Sequence, residues 1–109
     1  MSLEKQIWQL LSDVELFMHA NGLWSELPPA LEAFDSQEPF CIDTMSPQEW
    51  LQWVFIPRMG ALLESHRPLP TRIAITPYYE EAFSERQDEL RPLLEALAKI
   101  DGALSAGGA

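Results

Sequence analysis

Hydrophobic residues recur at helical spacing along most of the chain, and the most apolar helical stretch lies in the middle, at residues 46–65. Its apolar side chains lie on more than one face of a helix with 3.6 residues per turn, so we expect neighbouring elements to cover this central helix around most of its circumference. Ser46 can cap the first free amides, Pro47 fits the first helical position, and Glu49 completes a capping box. Pro57 lies deep inside, where it lacks an N–H and crowds the preceding turn. The pattern therefore predicts a central helix that is kinked at Pro57.

Three further helical segments surround this one in the sequence. Apolar residues recur at intervals of three and four from Leu3 to Met18, and Asn21-Gly22 then provides a helix end. Pro77 suits the first turn of a short helix. The apolar residues from Leu90 to Leu104 predict a C-terminal helix, with a break near 84–88 because Pro92 is tolerated best in an opening turn. The sequence thus predicts four helices and no convincing pair of strands.

Proline-rich connections separate these helices. In the longer one, a short helix is expected at 29–34, and Phe40 and Ile42 are expected to anchor the remainder by burial. A chain of 109 residues is long enough for one hydrophobic core without metals or disulfides. We therefore predict an all-α, single-domain four-helix bundle with irregular connecting loops at residues 1–104, followed by a flexible tail at 105–109.

The charge balance bears on possible partners. Seventeen acidic and seven basic side chains give a formal net charge of −10. Nucleic-acid binding normally rests on basic groups that displace counterions from phosphates, so we expect no direct contact with nucleic acid. The acids can simply form a solvated surface, or they can attract a basic protein partner. The apolar runs are shorter than the roughly 20 residues of a membrane span, so no membrane association is expected.

Motifs for catalysis, metals and cofactors are not found. There is no Gly-rich phosphate loop, no paired-cysteine motif and no His-rich spacing, and His19 and His66 are isolated. We therefore predict no catalytic residue, no metal site and no cofactor. The single cysteine, Cys41, adjoins hydrophobic neighbours and is expected to be buried as a small hydrophobe. One cysteine and no signal-peptide pattern favour a reducing, cytoplasmic setting.

A set of charged and aromatic residues forms the candidate binding or structural cluster: Asp43, Trp50, Trp53, Arg58, Tyr78, Tyr79 and Glu80. Arg58 is a permanent charge in an apolar span, so it must reach water along its stem or be paired. The alternative that we favour is a buried ion pair with Asp43 or Glu80. The other is a pocket in which Arg58 binds a carboxylate or phosphate between walls formed by Trp50 or Trp53. The sequence leaves open whether these tryptophans belong to the core or to the surface.

The same region holds a dense series of motifs: Pro39-Phe40, Asp43-Thr44-Met45, Glu49-Trp50-Leu51-Gln52-Trp53, Ile56-Pro57-Arg58-Met59, Pro68-Leu69-Pro70 and Pro77-Tyr78-Tyr79-Glu80. In these motifs the chain resembles the YqcC-like family, small bacterial proteins of unknown function. The resemblance implies a four-helix all-α domain and carries over no catalytic residue or cofactor. Family members are often encoded beside tRNA pseudouridine synthase C, which implies a link to tRNA modification. This chain, however, has neither the length nor the basic charge of such a synthase.

Two functional hypotheses follow. The first is a small acidic, non-enzymatic interaction module that binds another protein, such as a basic RNA-modifying enzyme. The alternative is a binder of a small anionic metabolite through a pocket around Arg58. Direct association with tRNA is disfavoured by the charge, and the oligomeric state is left open.

Overall fold

Helix α1 (Leu3–Ala20) opens the computed structural model, which describes residues 2–107 of the chain. The Ser2 hydroxyl accepts the N–H of Lys5 and so caps the first turn. At the other end, Gly22 has a φ of 71°, a left-handed conformation that costs glycine little. The predicted helix and its glycine end are confirmed.

The central helix, α2, consists of three consecutive parts: an α-helical start (Pro47–Trp50), a π-helical turn (Leu51–Phe55) and an α-helical end (Ile56–Glu64). Its predicted capping box is present. The Ser46 hydroxyl accepts the N–H of Glu49 at 3.3 Å, and the Glu49 carboxylate accepts the N–H of Ser46 at 2.8 Å.

The irregularity of α2 lies just before Pro57. The N–H of Ile56 donates to the carbonyl of Leu51, five residues back, which widens the turn. Backbone angles at Leu51, Phe55 and Ile56 remain in the right-handed helical region, so the helix continues through this turn. Pro57 removes one hydrogen bond from the regular pattern, and a π turn is one way in which a helix absorbs such a break. The structure therefore accommodates Pro57, where the sequence predicted a kink, through a π-helical turn in the residues just before it.

Neighbouring elements cover α2 unevenly. All side chains from Pro47 to Ile56 are buried or half-buried, whereas Pro57, Arg58, Ala61 and Glu64 are exposed. The prediction that neighbouring elements cover the helix around most of its circumference holds for the first part of α2. It is wrong for the second part, because α1 packs along this half and leaves its opposite side open.

The short helix α3 (Thr76–Ala82) and the long helix α4 (Arg91–Gly107) complete the bundle. A 3₁₀ turn (Ser84–Arg86) separates them, at the predicted break. α4 packs mainly on α1 and also contacts α3. None of the helices within residues 2–107 combines the length and hydrophobicity that a membrane crossing requires.

The last helix extends past residue 104, where the sequence predicted the boundary between the domain and a flexible tail. Helix α4 continues to Gly107, so Ser105 and Ala106 are helical. Leu104, which is fully buried, fixes the last turns of the helix on the core. Residues 108–109 of the predicted tail lie outside the described residues.

Two 3₁₀ turns, Leu31–Asp35 and Pro39–Cys41, give the long connection between α1 and α2 its shape. The first lies close to the predicted short helix. Phe40 is half-buried and packs on the core as predicted, and Cys41 is buried. Ile42 is 57% exposed, so its predicted anchoring role is wrong. The turn that directs Phe40 inward sends Ile42 outward.

A single large core joins the four helices. Its buried side chains include Ile7, Leu10, Leu11, Val14, Met18, Leu51, Phe55, Met59, Leu63, Tyr79, Leu90, Leu93, Leu97, Ile100 and Leu104. Residues 2–107 contain no strand. The all-α four-helix architecture is therefore as predicted.

Candidate functional site

Arg58 lies exposed on α2 and forms neither of its predicted ion pairs. The Asp43 carboxylate instead accepts the hydroxyl of Ser36. Glu80 is exposed, and its backbone carbonyl is 3.4 Å from the side-chain nitrogen of Gln87. No salt bridge within residues 2–107 involves Arg58. The predicted buried ion pair is wrong, because Arg58 lies on the open side of α2, where water solvates the guanidinium.

A groove of about 600 Å³ borders Arg58, between α2 and the loop that precedes α3. Most of its walls are apolar, and the lining includes Phe40, Trp50, Leu62 and Ile73. Two charged groups, Arg58 and Arg72, line it as well, and among the described residues no acid does. We call this feature the arginine groove. It combines an apolar interior with two cations, the complement of an organic anion that has an apolar body.

The aromatic wall of the groove is part of a larger cluster centred on Phe40. The Phe40 ring stacks on Tyr78 with centroids 4.2 Å apart and an interplanar angle of 9°. It meets Trp50 at 4.9 Å and Tyr79 at 6.2 Å, both in edge-to-face geometry. Trp50 in turn stacks on Phe55 at 5.6 Å. Such arrangements add about 0.5–1.5 kcal/mol per pair to the energy of burial.

The backbone around Phe40 adopts an unfavourable conformation that brings its ring into this cluster. Phe40 has a φ of 60° and Cys41 a φ of 48°, both in the left-handed region. This conformation costs a residue with a side chain about 1–2 kcal/mol. Packing of the Phe40 ring and burial of Cys41 offset that cost. The wall of the groove is thus held in one position by its own packing.

Tyr79 attaches α3 to the start of α2. Its ring is fully buried, and its hydroxyl donates to the carbonyl of Pro47 at 2.7 Å. Burial raises the pKa of Tyr79 above its ordinary value, and the neighbouring Tyr78 raises it further. Burial also raises the pKa of Tyr78. Neither tyrosine lines the groove, so they support its wall from behind.

The two candidate tryptophans have different surroundings. Trp50 is half-buried and lines the arginine groove. Trp53 is also half-buried, does not line the groove, and has a buried indole N–H without a hydrogen-bond partner among the described residues. Of the seven predicted residues, the structure therefore brings Trp50 and Arg58 to one groove, with Tyr78 and Tyr79 behind its wall. Asp43, Trp53 and Glu80 lie elsewhere.

Gln52 has a role that the sequence prediction missed. It is the one buried polar residue among those described, with 4% exposure. Its side-chain oxygen accepts the N–H of Ser25 at 2.7 Å, and its side-chain nitrogen donates to the carbonyl of Ser25 at 2.6 Å. The available signal was an amide side chain between two tryptophans in the most apolar helix. Its partner, 27 residues away, could not be read from this pattern.

Asp101 was also missed, and it caps α3 from another helix. Its carboxylate accepts the backbone N–H groups of Ile75 (3.1 Å) and Thr76 (2.8 Å) and the hydroxyl of Thr76 (2.7 Å). The residue at the start of α3 provides no side-chain cap of its own. Asp101 therefore satisfies amides that would otherwise lack a partner and joins α4 to α3.

Comparison with known proteins gives a consistent family assignment. The model of the family described as "tRNA pseudouridine synthase C" matches residues 6–103. An "Uncharacterized protein" of Haemophilus influenzae is 56% identical over 99 residues, which cover 91% of this chain and 92% of that protein. A protein of Pectobacterium carotovorum named "tRNA pseudouridine synthase C" is 54% identical over 70 residues, which are 64% of this chain and 19% of that protein.

The fold is shared with a solved structure. The "Uncharacterized protein YqcC" of Escherichia coli is 41% identical over 91 residues, 84% of this chain and 84% of that protein. The solution NMR structure of E. coli YqcC matches with a TM-score of 0.84 and 36% identity, and covers 96% of this chain and 90% of that chain. Because the family model and these relatives match most of its length, the chain belongs to the YqcC-like family, whose members in H. influenzae and E. coli are uncharacterised.

Proposed function

We propose that this chain is a non-enzymatic protein-interaction module that acts together with tRNA pseudouridine synthase C. One observation carries the proposal. A 70-residue part of this chain has a 54% identical counterpart within the Pectobacterium protein of that name. The counterpart accounts for 19% of that protein, so most of the longer protein has no equivalent here. A domain of this kind is thus one part of a protein that bears the synthase name.

Joining two domains in one chain favours a contact between them. Short flexible linkers give effective concentrations on the order of millimolar, so that even a weak interaction is populated. When the small domain is a separate chain, the same contact requires ordinary association. Similarity both to short proteins and to part of a longer one supports a physical association with the synthase.

The charge of this chain supports different binding roles for the two proteins. Enzymes that act on RNA need basic groups at the phosphates, whereas this chain has a formal net charge of −10. In this proposal the synthase contacts the tRNA in the cytoplasm, and this chain contacts the synthase. Opposite charges would speed their encounter.

Direct binding tests the proposal. The chain is immobilised, and the purified synthase from the same organism is passed over it at low (about 20 mM) and high (about 500 mM) salt. We expect saturable binding at low salt that weakens at high salt. The control is an unrelated basic protein whose net charge is similar to that of the synthase. Absence of binding to the synthase at low salt, or equal binding to the control protein, would contradict the proposal.

A second candidate function is recognition of a small anion in the arginine groove. The observation that favours it is the presence of Arg58 and Arg72 beside an aromatic wall that includes Phe40 and Trp50. The volume of about 600 Å³ falls within the range of about 300–1,000 Å³ that is typical of ligand sites. An aromatic or aliphatic carboxylate or phosphate could place its apolar body on the wall and its charge at the arginines.

Thermal shift measurements test this second candidate. Benzoate and phenyl phosphate serve as anionic probes, and benzamide is the neutral control. A ligand that binds the folded state raises the melting temperature by mass action. We expect the two anions to stabilise the native chain and to have no effect on the double variant Arg58→Met, Arg72→Met. Equal stabilisation of both proteins, or none of either at millimolar probe concentration, would contradict recognition of such anions in the groove.

A further inference from the structure

The connection between α1 and α2 exposes several large hydrophobic side chains. Leu27 is 78% exposed, Leu31 85%, Phe34 41% and Ile42 57%. Single exposed hydrophobic residues are ordinary on a soluble protein. Four of them on one connection, by contrast, are typical of a surface that contacts another molecule.

Hydrogen bonds hold the two turns of this connection together. The hydroxyl of Thr44 donates to the carbonyl of Ala33 at 2.8 Å. The hydroxyl of Ser36 donates to the carboxylate of Asp43. The first 3₁₀ turn is therefore fastened to the residues that follow the second one.

This arrangement places Leu31 and Phe34 on the first of the two joined turns and Ile42 directly after the second. Leu31 and Phe34 are three residues apart in a 3₁₀ turn, where side chains at this spacing lie above one another. Ile42 immediately precedes Asp43, whose carboxylate is bound to Ser36, the residue directly after the first turn. Leu27 lies four residues before Leu31, on the same connection. The four side chains thus belong to one folded segment of the surface.

Buried contacts fix this segment on the body of the protein. At its beginning, the backbone of Ser25 is bound by the side chain of Gln52 through two hydrogen bonds. Near its end, Cys41 and Met45 are buried and pack with Trp50. A surface that is already ordered loses less conformational entropy when it binds a partner.

The charge of this segment has one sign. From residue 25 to residue 45 the sequence contains no lysine, arginine or histidine. Its acidic side chains are all exposed. We define the acidic–apolar surface as the exposed hydrophobic and acidic side chains of this segment: Glu26, Leu27, Leu31, Glu32, Phe34, Asp35, Glu38, Ile42 and Asp43.

We infer that the acidic–apolar surface is the docking site for the synthase, an inference that rests on the proposed function. The partner surface must supply apolar pockets for Leu31 and its neighbours and basic groups at the rim. An enzyme that binds RNA carries basic groups of this kind. The acids would steer the encounter, and burial of the hydrophobic side chains would give most of the affinity.

Matched variants test the inference with the purified synthase. Leu31→Ser removes a hydrophobic side chain from the surface, and Leu16→Ser removes one that is 63% exposed on α1. Glu32→Lys reverses a charge on the surface, and Glu81→Lys reverses an exposed charge on α3. Substitutions of exposed residues usually leave stability almost unchanged, and melting curves verify this for each variant.

We expect Leu31→Ser to raise the Kd at least about tenfold. Glu32→Lys should raise it severalfold at low salt and less at high salt. The two control variants should bind within about twofold of the native chain. If the native chain binds the synthase and the surface variants bind equally well, the docking site is wrong and the proposed function stands. If the native chain does not bind at all, both fail.

Discussion

The two hydrogen bonds between Gln52 and the backbone of Ser25 give the sharpest test of how this fold is held together. The Gln52 side chain is buried, with 4% exposure, and bonds to both the N–H and the carbonyl of Ser25. Gln52→Leu preserves the bulk of the side chain but removes both bonds. A net contribution of about 1 kcal/mol per bond, plus partial loss of partners for Ser25, gives a cost of about 2–3 kcal/mol.

This free energy corresponds to a large change in melting temperature. An unfolding entropy of about 2.1 cal/mol/K per residue over 109 residues gives about 4.4 °C for each kcal/mol. Gln52→Leu should therefore melt about 9–13 °C below the native chain. A decrease of less than about 2 °C would contradict the role that we assign to these bonds.

Gln52→Glu makes the same contact dependent on pH. A protonated carboxyl group can accept the N–H of Ser25 and donate its O–H to the carbonyl of Ser25, as the amide does. Burial raises the pKa of such a carboxyl above its unfolded value of about 4.3. The stability that this contact contributes is then fully present below the unfolded pKa of the carboxyl group and is lost as the pH rises through its folded pKa. At high pH, each unit of difference between the folded and unfolded pKa values lowers the free energy of unfolding of the variant by about 1.4 kcal/mol.

Urea denaturation between pH 5.0 and pH 8.5 measures this effect, in a range that lies above the isoelectric point of about 4.4. The difference in unfolding free energy between the native chain and Gln52→Glu should be smaller at pH 5.0 than at pH 8.5, and at pH 8.5 at least as large as for Gln52→Leu. Gln48→Glu, on the same helix and without a side-chain hydrogen bond among the described residues, is the control. The same difference at both pH values would refute the reasoning.

Three further predictions concern contacts between helices and the open side of α2. Asp101→Ala removes the cap of α3 and should lower the free energy of unfolding by about 2 kcal/mol, with faster amide exchange at residues 75–82. The control is Glu95→Ala, at an exposed position of α4, the helix that carries Asp101, and it should lower the free energy of unfolding by less than about 0.5 kcal/mol. Tyr79→Phe should cost about 1 kcal/mol at pH 8. Because burial raises the pKa of Tyr79 in the folded state, the stability linked to its proton is present below about pH 10 and is lost at higher pH. The native chain should therefore lose more stability between pH 9 and pH 11 than Tyr79→Phe does, and equal losses in chemical denaturation would contradict this. Arg58→Met should change the melting temperature by less than about 2 °C, because the guanidinium is exposed, and a large decrease would mean that Arg58 has a structural partner after all.

Local sequence signals predicted the helices and several of their ends. The capping box at Ser46, the glycine end of α1 at Gly22 and the break before α4 depend on residues three or four positions apart, so local chemistry specifies them. Burial of Cys41 also followed from its hydrophobic neighbours. These local rules were sufficient for the all-α four-helix fold.

Which side chains meet, and which side of α2 stays open, depends on how the helices pack. Gln52 and Ser25 are 27 residues apart, and Asp101 reaches Thr76 across 25 residues. Hydrophobic periodicity shows that a helix has an apolar face, but it does not show which neighbour covers that face. For this reason the sequence favoured a buried ion pair for Arg58 over a pocket, whereas packing of α1 along one side of α2 left Arg58 in water beside a groove.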